Sequence, residues 1–115
     1  MNETVGAAKA MEIGAVYSQV VAKDKTVTIG GNRTETIAKS HSETTNEDYS
    51  LVVKKNIVIE AKESISLKCG KASIILKKDG TILIDGKDLT MKGSGEIVAK
   101  ADKDITMKGQ KILQN

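Results

Sequence analysis

VKKNIVIE-AKESISLK-CGKASIIL, residues 53–76, decides the fold because its pattern recurs every eight residues. Aligned as octads, the stretch places Val53, Ala61 and Cys69 in a first column, Ile57 and Ile65 in a second, and Ile59, Leu67 and Ile75 in a third. The same register continues without insertion back to Val5 and forward to Lys108. A short fixed period over most of a chain indicates a repeat architecture rather than an ordinary globule.

The composition is unusual for a globular core. The 115 residues include no Phe, Trp or Pro, and Tyr17 and Tyr49 are the only aromatic side chains. Because aromatic residues carry much of the apolar burial in typical cores, Ile, Val, Leu, Met and Ala must supply it here. The single cysteine, Cys69, excludes an intrachain disulfide, and its column predicts a small buried apolar side chain.

Charge and hydropathy exclude several classes of protein. The net charge is +3, with 18 basic and 15 acidic residues spread along the chain. No basic cluster is combined with aromatic residues, which predicts that nucleic acid is not a partner. No apolar run approaches the roughly 18 residues that a membrane span needs. A cleaved secretory signal is also absent, so we expect any export to follow another route.

Alternation of apolar and polar residues predicts short strands. The predicted strands are Asn56–Ala61, Ser64–Cys69, Thr81–Asp85, Asp88–Met91, Glu96–Ala99 and Asp104–Met107. Around Ser73 and Thr81 both faces are apolar, so we expect another layer or another chain to cover this stretch.

The domain organisation is expected to be simple: a lead-in over residues 1–20, made of the first octads, and a shaft over residues 21–115. A short helix over Ala7–Glu12 is a less favoured alternative. Between Val21 and Ser50 large apolar residues become sparse, which alone would suggest a disordered linker. The unbroken octad phase favours the repeat instead.

Two architectures fit octads made of about five strand residues and three bend residues. One is a single-chain solenoid with roughly 24 residues per turn. The other is an all-β, intertwined homotrimer, a triple-stranded β-helix shaped as a triangular prism. The sparse core favours the homotrimer, because three copies bring three side chains to the axis at each level. The predicted trimer core comprises Val21, Ile29, Ile37, Val53, Ile57, Ile59, Ala61, Ile65, Leu67, Cys69, Ile75, Leu83, Leu89, Met91, Ile97, Ile105 and Met107.

Several stretches resemble the C-terminal β-helix of VgrG proteins, the spike of bacterial type VI secretion, and the tail spike needle of contractile phages. They are VGAAKAME (5–12), IGAVYSQV (13–20), VTIGGNRTETI (27–37) and, most specifically, SIILKKDGTILIDG (73–86). The valine-glycine pairing of that family is present at Val5-Gly6, with isoleucine in its place at Ile13-Gly14 and Ile29-Gly30, and decays further along the chain.

The resemblance implies a trimeric spike that punctures a target membrane and is delivered by type VI secretion from the bacterial cytoplasm to the target cell. It also implies upstream VgrG base domains, contact with the secretion tube, a PAAR-like tip protein and secreted effectors. We therefore expect the chain to be a piece of a longer protein. The predicted tip, where a partner would bind, comprises Gly109, Gln110, Lys111, Ile112, Leu113, Gln114 and Asn115.

No motif supports catalysis, and we expect no catalytic residue, cofactor or metal site. Three copies of His41 could meet around a metal on a trimer axis, but no second ligand type repeats beside it, which favours a solvated histidine. The glycine-rich nonapeptide of calcium-binding β-rolls is absent. The alternative function is a non-enzymatic β-solenoid that presents its faces or tip to a protein or glycan. A cell-wall hydrolase is least favoured, because no motif places a carboxylate pair.

Overall fold

The computed structural model describes residues 2–115 and contains three strands and no helix among them. The strands are β1 (Ser64–Cys69), β2 (Ala72–Lys77) and β3 (Ile82–Asp85). They form one antiparallel sheet in the order β1-β2-β3, which we call the meander. The all-β class is confirmed, β1 has its predicted bounds, and β3 begins one residue later than predicted. The sequence did not predict β2 as a separate strand.

The turn between β1 and β2 is a two-residue hairpin. Cys69 and Ala72 are the last paired residues, and Gly70 and Lys71 connect them. Gly70 has φ 55°, whereas no residue other than glycine has a positive φ in the described part of the chain. A positive φ at the first central position only is the pattern of a type II′ turn, whose twist matches that of paired strands.

Two backbone hydrogen bonds close the turn between β2 and β3. The amide of Lys77 donates to the carbonyl of Thr81 over 3.0 Å, and the amide of Gly80 donates to the carbonyl of Lys77 over 3.1 Å. Asp79 Oδ1 accepts a hydrogen bond from the Thr81 amide over 3.0 Å. This bond favours the ionised carboxylate and therefore lowers the pKa of Asp79. Gly80 has φ 93°, a backbone conformation that other residues rarely adopt.

Outside the meander the backbone bends at regular intervals. Bends recur every eight residues at positions 6–7, 14–15, 22–23, 30–31, 38–39, 46–47, 54–55 and 62–63. After the meander they return at 87–88, 94–95 and 102–103. The interval equals the period of the sequence, and each early bend follows directly after a residue of the first column.

Backbone hydrogen bonding is confined to the meander and its turns. Outside the strands, residues 2–115 make three backbone hydrogen bonds, and all of them lie between Glu63 and Thr81. The strands predicted at 56–61, 88–91, 96–99 and 104–107 consequently have no paired neighbour within the chain. This part of the strand prediction needs correction for the single chain, because a strand requires a partner that these segments do not find here.

The chain divides into two units, Met1–Tyr49 and Ser50–Asn115. The first unit holds the predicted lead-in together with most of the polar octads, and the same bend spacing runs through both. The second unit holds the meander. Among the described residues, no helix is long and apolar enough to cross a membrane.

Candidate functional site

Strand pairing decides which side chains share a face of the meander, because residues directly opposite in an antiparallel pair point to the same side. Ile65 pairs with Leu76 and Leu67 with Ile74, and these β2 residues pair in turn with Ile82 and Ile84. One side of the sheet is therefore built from apolar residues alone. This apolar face comprises Ile65, Leu67, Cys69, Ala72, Ile74, Leu76, Ile82 and Ile84.

The apolar face is uncovered in the single chain. Its five most exposed large side chains keep between 38% and 64% of their accessible surface; these are Leu67, Ile74, Leu76, Ile82 and Ile84. Contiguous apolar surface of this kind is rare on monomeric proteins and marks an interaction site. The prediction that this stretch needs cover from outside its own strands agrees with the exposure observed.

A groove of about 410 Å³ extends the apolar face toward residue 89. Six apolar residues line it, Leu67, Cys69, Ala72, Ile74, Ile84 and Leu89, and the rest of its lining comes from Lys68, Ser73, Asp85, Gly86 and Asp88. Five of these apolar residues, all but Leu89, also belong to the apolar face. The groove therefore belongs to the same surface as the apolar face.

The meander separates residues that the sequence assigned to one core. Ile65, Leu67 and Cys69 lie on the apolar face, whereas Ile75 and Leu83 pair with each other on the opposite face. That opposite face also carries Lys68, Lys77 and Asp85, so it is amphipathic. In a regular octad repeat Leu67 and Ile75 would occupy the same column and the same face. The two-residue hairpin at Gly70 reverses the chain, so Leu67 pairs with Ile74 and Ile75 lies on the opposite face.

Exposure also distinguishes the columns outside the meander. The first-column residues with a large side chain retain nearly the same accessible fraction, 43–47%, at Val5, Ile13, Val21, Ile29, Ile37 and Val53. Predicted core residues further along are exposed as well, namely Ile57, Ile59, Ala61, Leu89, Met91, Ile97, Ile105 and Met107. The single chain thus brings none of these columns into a closed core.

The total accessible surface agrees with an incomplete core. The chain exposes 13334 Å². A folded monomer of its 12.3 kDa mass would expose roughly 6,100 Å², and the fully unfolded chain about 18,000 Å². No residue in the part of the chain that the structure describes is fully buried. The single chain therefore forms no closed hydrophobic core among the residues described.

In the polar octads, ion pairs occupy the second and third columns. Arg33 Nη2 lies 3.1 Å from Glu35 Oε2, and His41 Nε2 lies 3.7 Å from Glu43 Oε2. Such i, i+2 pairs share one side of an extended chain, where Ile57 and Ile59 stand in a later octad. Neither pair was predicted from the sequence, although opposite charges two residues apart in an extended segment would have indicated them. Exposed pairs of this kind stabilise a fold little.

The predicted tip residues and His41 do not line the groove. Ile112 and Leu113 of the predicted tip are exposed, and a backbone bend occurs at Gln110. Within residues 2–115 no group of three or more His, Cys, Asp or Glu is arranged to hold a metal ion. The predictions of no metal, no cofactor and no catalytic residue remain predictions.

One comparison with known protein families gives a match. A family model described as "Gp5 C-terminal repeat (3 copies)" matches residues 17–45, about a quarter of the chain. A search of curated proteins finds no match to the chain. The matched stretch is the polar region whose alternative interpretation was a disordered linker. The similarity instead supports spike-type β-helix repeats, and it indicates a structural segment like those of phage tail spikes.

The column assignment predicts a large difference between two neighbouring positions. Ile57 lies in the second column and keeps 53% of its surface exposed, whereas Val58 points away and keeps 85%. We expect Ile57→Asp to destabilise the assembled protein by on the order of 3–5 kcal/mol per chain, because a buried charge without a partner is costly. Thermal unfolding followed by circular dichroism measures the effect.

Val58→Asp is the matched control, with the same introduced charge one residue away. We expect it to change the free energy of unfolding by no more than about 0.5 kcal/mol, as surface substitutions do. Equal destabilisation by the two variants would contradict the column assignment.

Proposed function

We propose that the chain is one of three identical chains in an intertwined, triple-stranded β-helix, a triangular prism that serves as the shaft of a secretion spike. The observation that carries this proposal is the absence of strand partners within the chain. The octads bend every eight residues, yet outside residues 63–85 the described chain makes no backbone hydrogen bond to itself. Backbone donors and acceptors that leave water need partners, and copies of the chain can supply them.

The pairing pattern favours three chains over a single-chain solenoid. A solenoid of octads would pair each strand with another roughly 24 residues along the same chain. In residues 2–115 the paired strands are instead those of the local meander alone. A compact assembly of three such chains would expose roughly 14,000 Å² in total, or about 4,700 Å² per chain. Such an assembly would bury about two thirds of the 13334 Å² that the single chain exposes.

The ion pairs explain how the polar octads can take part in the shaft. If the second and third columns face the other copies, Arg33 and His41 enter a less hydrated environment. Burying a charge is costly unless a partner neutralises it. Glu35 lies two residues from Arg33 in the same chain, so that level can be neutral without a charge from another copy, and Glu43 lies beside His41 at the same spacing.

A stiff shaft without catalytic chemistry fits a puncturing role. The match to the Gp5 C-terminal repeat supports a spike segment, and the resemblance of residues 73–86 points to VgrG of type VI secretion. In that setting the shaft crosses a target membrane after passing through the secretion system, while base domains join it to the tube. Effectors and a PAAR-like tip protein would travel with it. On this proposal the segment is not an enzyme.

A binding module is the second candidate, and the groove beside the apolar face is the observation that favours it. A non-enzymatic β-solenoid could present that groove to a protein or glycan. The two candidates differ in oligomeric state and in what the carboxyl-terminal end binds.

We predict a molar mass near three times the 12.3 kDa of one chain, measured by sedimentation equilibrium. The trimer should persist on dilution, because intertwined chains share backbone hydrogen bonds along their length. A mass near one chain, together with a β-type circular dichroism spectrum, would contradict the trimeric spike and favour the binding module.

The tip assignment predicts a selective effect of truncation. Removing Gly109–Asn115 should leave the trimer intact and abolish binding of a PAAR-like protein, because these residues would form the end surface of the prism. Pull-down with a PAAR-like partner, alongside the molar mass, measures both. Val98→Ser in the intact chain is the control and should retain binding, because Val98 is 78% exposed and lies outside the predicted core and the predicted tip. Binding that survives the truncation would refute this assignment of the tip.

A further inference from the structure

The meander is the one element in residues 2–115 where the chain forms a sheet with itself. Elsewhere the octads are similar to one another. If one chain were displaced by eight residues along another, its bends and its apolar columns would still lie beside those of the other chain. Polar and glycine-rich strands specify their register weakly. Three octad chains therefore need a unique feature to fix their alignment.

The meander provides such a feature, because it is the place where turns reverse the chain into paired strands. The octad phase continues through it, but hairpin turns at 70–71 and 78–80 replace the simple bends found up to 62–63. The next bend, at 87–88, comes one residue late before the spacing returns at 94–95. A copy shifted by one octad would set a hairpin turn of one chain against a regular octad of the next.

The apolar face gives the meander a contact that a second copy matches. It carries no charge, so identical faces can approach each other without repulsion. At the hairpin end it narrows to Cys69 and Ala72, the smallest residues of the set. The chain exposes more than twice the surface of a folded monomer of its mass, an excess far above the roughly 800 Å² that each partner buries in a standard interface. Further copies of this chain are therefore the occupant that the surface fits.

We propose that the meander sets the register of the three chains, with its apolar face packed against the apolar faces of two identical copies about the trimer axis. This inference rests on the proposed homotrimer and assigns the opposite face, with Lys68, Lys77 and Asp85, to solvent. The meander spans few residues, and its most distant pair on β1 and β2 is Ser64 with Lys77. Local contacts form quickly, so each chain brings a formed meander to the assembly step.

Pulsed electron paramagnetic resonance on the full chain tests the register. Cys69→Ala removes the native thiol, and Val98→Cys provides one outward attachment point for a nitroxide label. Three chains in one register give a single narrow distance between labels. Chains displaced by an octad add longer distances, since one label then lies at another level of the shaft.

Ile82→Ser on the apolar face and Leu83→Ser on the opposite face form a matched pair. In the single chain Ile82 is the more exposed, at 64% against 46% for Leu83, so burial within the chain predicts that Leu83→Ser does more harm. The proposal predicts the reverse. We expect Ile82→Ser to broaden the distances, or to slow trimer assembly from denaturant by at least about tenfold, as loss of a contact in the folding nucleus does. Leu83→Ser should match the parent in both measurements.

Gly80→Ala gives an independent variant, because it strains the turn at φ 93° and leaves the apolar face unchanged. Gly80→Ala should also broaden the distribution of label-to-label distances. Gly86→Ala is the control and should leave that distribution narrow, because its added Cβ would lie 3.8 Å from the Asp88 carbonyl oxygen, an ordinary contact. Loss of the trimer in Ile82→Ser with an intact Leu83→Ser trimer also supports the proposal.

Two results would overturn the proposal, and they are distinguishable. A parent trimer whose narrow distance and assembly rate are unchanged by Ile82→Ser and Gly80→Ala refutes the register role alone. A parent protein with the molar mass of one chain and no distance between labels refutes the homotrimer and the register role together.

Discussion

Unpaired backbone groups are the constraint on which the rest of this structure depends. Each octad carries amide donors and carbonyl acceptors that the chain itself does not pair outside residues 63–85. Leaving water without a partner costs each such group the equivalent of a lost hydrogen bond. The octads can remain solvated and uncollapsed, or they can pair with other copies. The apolar columns favour pairing, because their accessible surface has no cover within one chain.

The meander and the octads lack different kinds of contact within the chain. The three strands of the meander pair with one another, although the outer edges of β1 and β3 stay open. The apolar face has no cover within the chain. The octads instead lack backbone partners. In the polar region, charged side chains also replace apolar ones in the second and third columns. The sheet needs apolar cover, and the repeats on either side of it need strand partners. Assembly of identical chains can supply both.

Sequence reasoning predicted what is local and periodic. The bounds of β1 followed from the alternation of Ile65 and Leu67 with serine and lysine, and Asp79-Gly80 marked a turn. It did not identify β2, because Ser73–Leu76 is apolar on both sides and hides the period of two. The change of face between Leu67 and Ile75 was missed for a related reason: Gly70 looked like another octad glycine, but its positive φ closes a hairpin. The ion pair at Arg33 and Glu35 was missed because the columns were followed only through apolar residues.

Amide hydrogen exchange of the full chain, resolved by segment with mass spectrometry, tests the central claim most directly. The octads over residues 21–60 have no backbone partner within the chain, so any protection there must come from other copies. The account predicts slow exchange over these octads, comparable to that of β1 and β2. Exchange over residues 21–60 at the rate of an unstructured peptide, with protection confined to the meander, would contradict it.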